Sequence, residues 1–248
     1  MLTRDGDLNA DALRKLKQVN HLVSLLQPAI EDIWSRYGSP VVVDAAGGNA
    51  YLGFILYELF FKDSDKGSLL SIDTRDELTL RARERAQKLG FSRMDFQTST
   101  ITEAKLPDRV HLLVALHACD TATDDALSLA IRHNADHVAL VPCCQAELAE
   151  QLKHAEAPSG PMGALYEHPW HRREFGSHLT NVIRALALEG FGYQVTVTEF
   201  TGWEHSLKNE LILGRRVHKE NPAARAKLKA LLAETGVAPQ LVRSLGLV

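Results

Sequence analysis

Residues 41–53 of the chain read VVVDAAGGNAYLG, and this stretch decides the fold class. The three apolar residues at its start are typical of a short β-strand that is buried on both faces. The small residues that follow predict a tight turn in which the backbone passes close to a ligand, because larger side chains would block that approach. Apolar residues then predict a helix from about Leu52 to Phe61.

Strands and helices alternate on the C-terminal side of this unit. Apolar runs predict four further strands, at residues 68–73, 94–98, 111–116 and 137–142. Amphipathic or polar segments predict helices at residues 75–89, 124–133 and 178–189. Because crossover connections between parallel strands have one hand, these β-α units predict a doubly wound sheet.

Two strands without a helix between them close the predicted sheet. Residues 193–200 and 210–217 are joined by a short loop, which predicts an antiparallel pair. The predicted fold class is therefore α/β, a Rossmann-like sheet of five parallel strands plus a terminal antiparallel β-hairpin. The G-x-G-x-x-G pattern is missing and a nicotinamide-type domain would end in parallel strands, so a nicotinamide-dependent oxidoreductase is disfavoured.

The length of 248 residues fits a single large α/β domain. An apolar stripe from about Ala10 to Tyr37 predicts a long helix, kinked or split at Pro28, within an N-terminal helical extension over residues 1–38. We expect the core to span residues 39–217. A basic helix at about 223–232 predicts a C-terminal helical tail over residues 218–248.

Composition and charge exclude several classes of protein. With 45% hydrophobic and 24% charged residues the chain is not a disordered one, and a net charge of −3 gives no overall positive field for nucleic acid, although a local basic face stays open. Three cysteines do not make a disulfide framework, so a reducing cytoplasm is predicted. The polar N-terminus lacks the apolar core of a signal peptide, and we expect no membrane association. No pattern favours one oligomeric state.

Acidic and hydroxyl side chains at the strand ends predict a nucleoside site. Asp44 ends the first predicted strand, and Asp73 ends the second about 25 residues after the turn, within the usual range of an acidic ribose anchor. The alternative for Asp73 is a helix cap for a helix that starts at Thr74 or Arg75. The third strand ends in Thr98-Ser99-Thr100, which offers only hydroxyl groups to a base.

Polar groups also follow the fourth and fifth strands, in LHACDTATDDAL (116–127) and VPCCQAEL (141–148). Ligands bind outside the carboxyl ends of such strands, so we expect these groups to converge. Three interpretations stay open. His117 or Asp120 is a general base or an orienting group; His117 and the cysteines bind zinc, although their spacing fits no CxxC framework; or Cys143 and Cys144 are buried hydrophobes and Asp120 caps the next helix.

These motifs, with KLKQVNHL (15–22), DAAGGNAYLGFILYEL (44–59), HPWHRREF (168–175) and WEHSLKNELIL (203–213), resemble a known family. The resemblance is to bacterial predicted methyltransferases of class I, which are distantly similar to the catalytic domain of eukaryotic tRNA 2′-O-methyltransferases. It implies S-adenosyl-L-methionine as cofactor and RNA as the acceptor. The cysteine spacing separately favours a site without a metal.

The resemblance also implies site residues. Asp44, Gly48, Tyr51 and Asp73 would line the cofactor site, with Asp44 organising the turn or holding the methionine ammonium through water. Ala46, Asn49 and Thr100 depart from the glycine, lysine and aspartate that are usual in the family. The candidate cofactor-binding residues are Asp44, Ala46, Gly48, Asn49, Tyr51, Asp73, Thr74, Ser99, Thr100 and His117. The candidate catalytic residues are His117, Asp120, Cys144 and Gln145.

Residues 157–177 hold three prolines and three glycines, which predicts a lid or binding loop. Its aromatic residues could enclose a small-molecule acceptor, which is the main alternative to RNA. Trp170 and Trp203 could instead stack on bases, with basic residues from the first helix, the lid and the C-terminal region on the phosphates. These basic residues are Arg14, Lys15, Lys17, Arg172, Arg173, Arg215, Arg216, Lys219, Arg225, Lys227 and Lys229. A third hypothesis is a non-catalytic binding module that keeps the fold.

Overall fold

A computed structural model describes residues 10–116 (backbone alone over 10–18), 118–142, 145–156, 161–200 and 210–247. Its strands are β1 (Val41–Ala45), β2 (Ser68–Asp73), β3 (Met94–Thr98), β4 (Leu112–Leu116), β5 (His137–Val141), β6 (Tyr193–Glu199) and β7 (Glu210–Arg216). They form one seven-stranded sheet in the order β3-β2-β1-β4-β5-β7-β6.

The first five strands are parallel, and the last two are antiparallel. β1 pairs with β2 and β4, β2 with β3, and β4 with β5, all in parallel register. β7 runs antiparallel to β5, and β6 runs antiparallel to β7. The predicted fold class, with its terminal hairpin, is therefore confirmed. The strand order reverses between β1 and β4, which is where ligands bind in sheets of this type.

Helices cover both faces of the sheet. One face packs against α1 (Ala10–Arg36), α2 (Tyr51–Phe60) and α3 (Asp76–Leu89). The other carries α4 (Thr121–Arg132), α5 (Ala146–Gln151), α6 (Ala164–Glu167), α7 (Pro169–Gly190), α8 (Pro222–Thr235) and α9 (Gln240–Ser244). Alternate residues of β4 enter the two cores, with Leu112 on the first face and Leu113 on the second. This double burial explains why the sequences of the central strands β1, β4 and β5 are largely apolar.

Ion pairs fix the last turns of α1 to the amino-terminal edge of the sheet. Asp32 Oδ2 lies 2.7 Å from His137 Nε2, and Arg36 Nη2 donates to Asp136 Oδ1 at 2.8 Å. Arg215 Nη2 lies 3.5 Å from Asp32 Oδ1 at the same edge. α1 is one helix through Pro28, so the predicted split at that proline is wrong; Pro28 is exposed there.

The predicted lid is largely helical where the structure describes it. A 3-10 turn (Pro161–Gly163) and α6 precede α7, which begins at Pro169 rather than at residue 178. Proline at the first helical position is pre-organised for a helix, so Pro169 starts α7 instead of breaking it. Gly176 lies inside α7, where a β-carbon would come within 2.9 Å of Ala149 N in α5. That glycine serves close helix packing and not a loop.

Three short helices, α5, α6 and α9, were not predicted, because they are too short to show a helical period. Among the helices that the structure describes, none combines the length and apolar content that a membrane span requires.

Candidate active site

The turn between β1 and α2 packs closely on the ends of β1 and β2 because its residues are small. A β-carbon on Gly47 would lie 2.4 Å from Ser71 Oγ and 2.7 Å from Asp44 Oδ2, so no side chain fits there. Gly48 has a φ of +59°. Ala46 and Ala50 adopt φ of 58° and 54°, a left-handed conformation that costs an L side chain free energy. Ala46 therefore keeps the backbone conformation that the more usual glycine would take.

Asp73 ties this turn to the end of β2. Its Oδ2 accepts from Gly48 N at 2.8 Å and from Arg75 Nη2 at 3.1 Å, and its Oδ1 accepts from Arg75 N and Nε at 3.0 and 2.9 Å. Burial acts to raise the pKa of Asp73, but the Arg75 guanidinium and the two backbone N–H groups hold it below its usual value. Asp73 thus stays an anion at the predicted ribose position. Its carboxylate also fixes the backbone at Gly48, in the turn, and at Arg75, after β2.

Two polar atoms beside the turn lack hydrogen-bond partners within the described part of the chain. Asp44 Oδ2 and Ser99 Oγ are both buried in this state. Burial raises the pKa of Asp44 to about 7, although the Gly53 N–H and the Ser71 hydroxyl oppose the rise. Ser99 follows β3, and its N–H donates to Asp73 O at 3.1 Å. Unsatisfied buried polar groups near a turn of small residues fit a polar ligand such as a nucleoside with an ammonium group.

The other cofactor candidates are more exposed or have partners of their own. The Thr100 hydroxyl donates to Glu103 Oε2 at 2.7 Å, so it closes the turn after β3, and Ser99 carries the free hydroxyl instead. Tyr51 is exposed at the start of α2, with Arg85 5.7 Å from its ring centre. Thr74 is exposed and Asn49 is half-buried.

Asp120 and Gln145 lie at the carboxyl ends of β4 and β5. Asp120 Oδ1 accepts from Ala146 N at 2.9 Å and from Glu147 N at 3.3 Å, so it caps α5. The predicted side-chain cap of the following helix is wrong, since Asp120 makes no such bond in α4. Gln145 is buried, and its Oε1 accepts from Ser177 Oγ of α7 at 2.8 Å. The ends of these strands are therefore joined to each other and to α7.

His117, Cys143 and Cys144 lie outside the described residues, as do Trp203, His205, Lys208 and Asn209. Within the described ranges no group of three or more His, Cys, Asp or Glu is placed to hold a metal ion.

The predictions missed two arginines. Arg75 stands two residues after Asp73 and covers it. Arg184 is fully buried within α7 and bonds to the backbone of Asp120. The sequence did contain a sign that Arg184 is buried. It is the one charged residue in the apolar segment IRALAL (183–188), so it falls on a helix face that should be buried.

Comparison with known proteins assigns the family. Residues 14–151, more than half of the chain, match a family described as a methyltransferase domain. The chain belongs to this methyltransferase family. The matched segment contains the glycine turn, Asp73 and Asp120, and the domain is a class I, S-adenosylmethionine-dependent methyltransferase. When that cofactor is bound, its sulfonium supplies the methyl group, and the Gly47 turn and Asp73 would hold its amino-acid and nucleoside parts.

The curated relatives are much longer than this chain. A glutathione S-transferase C-terminal domain-containing protein of Xenopus laevis is 26% identical over 242 residues, which cover 85% of this chain and 36% of that protein. The protein of the same name in Homo sapiens is 26% identical over 232 residues, covering 85% and 35%. The chain thus spans about a third of the length of the curated relatives it matches.

Solved structures of methyltransferases are similar in part. An rRNA methylase from Streptococcus thermophilus has a TM-score of 0.47 and 12% identity over 73% of this chain and 88% of its own. Magnesium protoporphyrin IX methyltransferase from Synechocystis with bound S-adenosylhomocysteine has a TM-score of 0.49 and 14% identity over 86% and 89%.

Proposed function

We propose that this protein transfers the methyl group of S-adenosylmethionine to RNA. The observation that carries the choice of acceptor is Trp170, whose side chain is 63% exposed at the start of α7. Arg173 lies over its ring, 4.2 Å from the ring centre. An exposed indole under a guanidinium suits the stacking of a nucleobase beside a phosphate. A pocket for a small aromatic acceptor would instead enclose such a ring.

The position of Trp170 relative to the strand ends supports the same acceptor. Ser177, which holds Gln145, is seven residues further along α7 and so lies on the same side of the helix. Two helical turns separate Trp170 from Ser177 by about 10 Å along the axis. That distance is within the reach of one or two nucleotides of a single strand whose target nucleotide lies beside Gln145.

Three of the C-terminal arginines have partners away from these strand ends. Arg215 lies at the amino-terminal edge of the sheet beside Asp32, and Arg216 bonds to Asn134 at the same edge. Arg225 donates to Gly190 O at the end of α7. We therefore assign RNA contact to the start of α7 and not to the C-terminal basic residues.

On the cofactor side, we assign the ribose hydroxyls to Asp73, the methionine part to the Gly47–Gly48 turn, and the adenine to Ser99. Asp44 Oδ2 would hold the methionine ammonium through water. On the acceptor side, Asp120, Gln145, His117 and Cys144 would align the nucleophile with the methyl group. Alignment supplies most of the rate, and a base is required only when the nucleophile must lose a proton.

The test is incubation of the protein with radiolabelled S-adenosylmethionine and two separate pools, total RNA and a small-metabolite extract. We expect label in the RNA pool, with Trp170→Ala lowering that labelling about tenfold through the loss of one stacked base. Leu59→Ala is the matched control, because Leu59 is an exposed apolar residue on α2 and should leave labelling unchanged. Label in the metabolite pool alone would establish the small-molecule alternative. Binding of S-adenosylhomocysteine without labelling of either pool would establish the non-catalytic one.

A further inference from the structure

Asp120 has a backbone conformation that L-amino acids rarely adopt. Its φ of 49° and ψ of −119° belong to a region that glycine occupies without strain. Its carboxylate nevertheless reaches the N-terminus of α5, where it accepts from Ala146 N and Glu147 N. A side chain holds such a conformation only when the surrounding structure imposes it.

Arg184 supplies that constraint from the buried side. Its guanidinium is fully buried, and Nη2 donates to Asp120 O at 2.9 Å. Its Nε donates to Asp124 Oδ1 at 2.6 Å, and its Nη1 donates to Asn181 Oδ1 at 3.0 Å. Three acceptors on three sides fix the planar guanidinium, so it cannot follow a movement of Asp120.

The contact with Asp120 is not required to satisfy a structural ion pair. Burial raises the pKa of Asp124, and Arg184 opposes that rise. A buried pair of this kind is often no more stable than apolar residues of the same volume. A further donor of Arg184 goes to the carbonyl of Asp120, which also accepts from Thr123 N at 3.2 Å, so the strained residue is held from the buried side and from the first turn of α4.

The arrangement continues to a third strand. Asn181, which accepts from Arg184, donates to Glu210 Oε2 at 2.8 Å. Glu210 begins β7, and the antiparallel register of β7 with β5 places it beside the carboxyl end of β5. Arg184 thus connects the ends of β4, β5 and β7 at the acceptor side of the site.

We infer that Arg184 is a positioning residue, which holds Asp120 in its strained conformation and thereby sets the acceptor side of the active site. The inference rests on the proposed function only in assigning Asp120 to the acceptor side. Arg184 acts through Asp120 and has no contact of its own with the reacting atoms in this assignment.

Amide hydrogen exchange tests the inference in Arg184→Lys. Lysine keeps a positive charge for Asp124 but has no fork to reach three acceptors. The first N–H groups of a helix have no partner inside it, so the exchange of Ala146 and Glu147 reports the Asp120 contact directly. We expect both amides to exchange about tenfold faster in the variant, as a hydrogen bond to a charged group is lost.

Arg93→Lys is the matched control. Arg93 donates to the carbonyls of Phe61, Ser64 and Gly67, which lie away from the ends of β4 and β5. This variant should leave exchange at Ala146 and Glu147 at the wild-type rate. Unchanged exchange at both amides in folded Arg184→Lys would overturn the inference. If thermal melting shows that Arg184→Lys does not fold, Asn181→Ala, which removes one of the three acceptors, is measured with the same outcomes expected.

Kinetics separate this inference from the proposed function. We expect Arg184→Lys to lower kcat for the labelled acceptor about tenfold while the Kd for S-adenosylhomocysteine stays within twofold, because Asp73 and the glycine turn are untouched. An equal loss of kcat and cofactor affinity would show that Arg184 supports the fold in general and does not specifically position the acceptor side. If wild-type protein labels no acceptor, the proposed function fails, and the exchange of Ala146 and Glu147 still decides the role of Arg184.

Discussion

Arg75 holds the carboxylate of Asp73 with two side-chain hydrogen bonds, Nε to Oδ1 at 2.9 Å and Nη2 to Oδ2 at 3.1 Å. With the N–H groups of Gly48 and Arg75, the carboxylate accepts four hydrogen bonds, which is the full capacity of its two oxygens. A ribose diol can bind Asp73 only where the Arg75 guanidinium gives way. The side chain of Arg75 is 63% exposed, so it can move into solvent.

The first prediction concerns this contact. Arg75→Ala should tighten the binding of S-adenosylhomocysteine up to about fivefold, because an exposed ion pair of at most ~1 kcal/mol no longer has to be broken. Calorimetry measures the Kd, and Arg81→Ala, which removes a surface pair with Glu77 on the same helix, should leave it unchanged. Asp73→Ala should weaken binding at least about tenfold. A Kd that rises in Arg75→Ala would mean that Arg75 itself contacts the cofactor.

The second prediction concerns the pH dependence of stability. The pKa of Asp44 is raised from 3.8 to about 7 in the folded protein, so between these values the folded state holds a proton that the unfolded state has lost. The Asp44 contribution to stability therefore falls as pH rises from about 4 to about 7, and its full penalty is present above pH 7. Asp44→Asn should raise the urea midpoint more at pH 8 than at pH 5. The exposed residue Asp95, changed to Asn, is the control. An equal effect of Asp44→Asn at both pH values would contradict the assignment.

The third prediction concerns the left-handed conformation of Ala46. Its φ of 58° carries a cost of roughly 1–2 kcal/mol that glycine does not have. Replacing Ala46 with glycine removes this cost, but part of the stabilisation is lost because glycine makes the unfolded chain more flexible. Ala46→Gly should therefore stabilise the protein by up to about 1 kcal/mol in urea unfolding. Ala45→Gly, at a buried strand position without a positive φ, should destabilise the protein. Stabilisation by both changes would contradict the assignment of the cost to the left-handed conformation of Ala46.

The fourth prediction concerns the packing of α7 on α5. A β-carbon at Gly176 would lie 2.9 Å from Ala149 N and 3.0 Å from Ala149 Cα, and a backbone cannot move aside as a side chain can. Gly176→Ala should destabilise the protein by ~1–3 kcal/mol through overpacking, which exceeds the ~1 kcal/mol gained from helix propensity. Gly38→Ala is the control, because nothing lies within 4 Å of its β-carbon. A thermal midpoint for Gly176→Ala at or above that of the wild type would refute the contact.

Local sequence was sufficient to predict a secondary-structure element where that element is formed by one continuous segment with a clear pattern. The apolar run before Asp44, the small residues after it and the polar helix after Asp73 each predicted a strand, a turn or a helix correctly. The helical start of α7 was missed, because Pro169 and Gly176 are read as loop signals. Pro169 is also compatible with the first position of a helix, and the role of Gly176 depends on its contact with Ala149 of α5, which lies more than 20 residues away in the sequence.

The sequence by itself determined the alternation of strands and helices, the side-chain-poor turn, and the placement of Asp44, Asp73, Asp120 and Gln145 at strand ends. These features follow from residue size and apolar period over short stretches. Only the tertiary structure decided which partners these residues have. In the tertiary structure, Asp73 accepts hydrogen bonds from Gly48 and Arg75. Asp120 caps α5 and not α4, and Arg184 donates to the backbone of Asp120. Such contacts join residues far apart in the chain, and their free energies depend on burial and orientation that no local pattern contains.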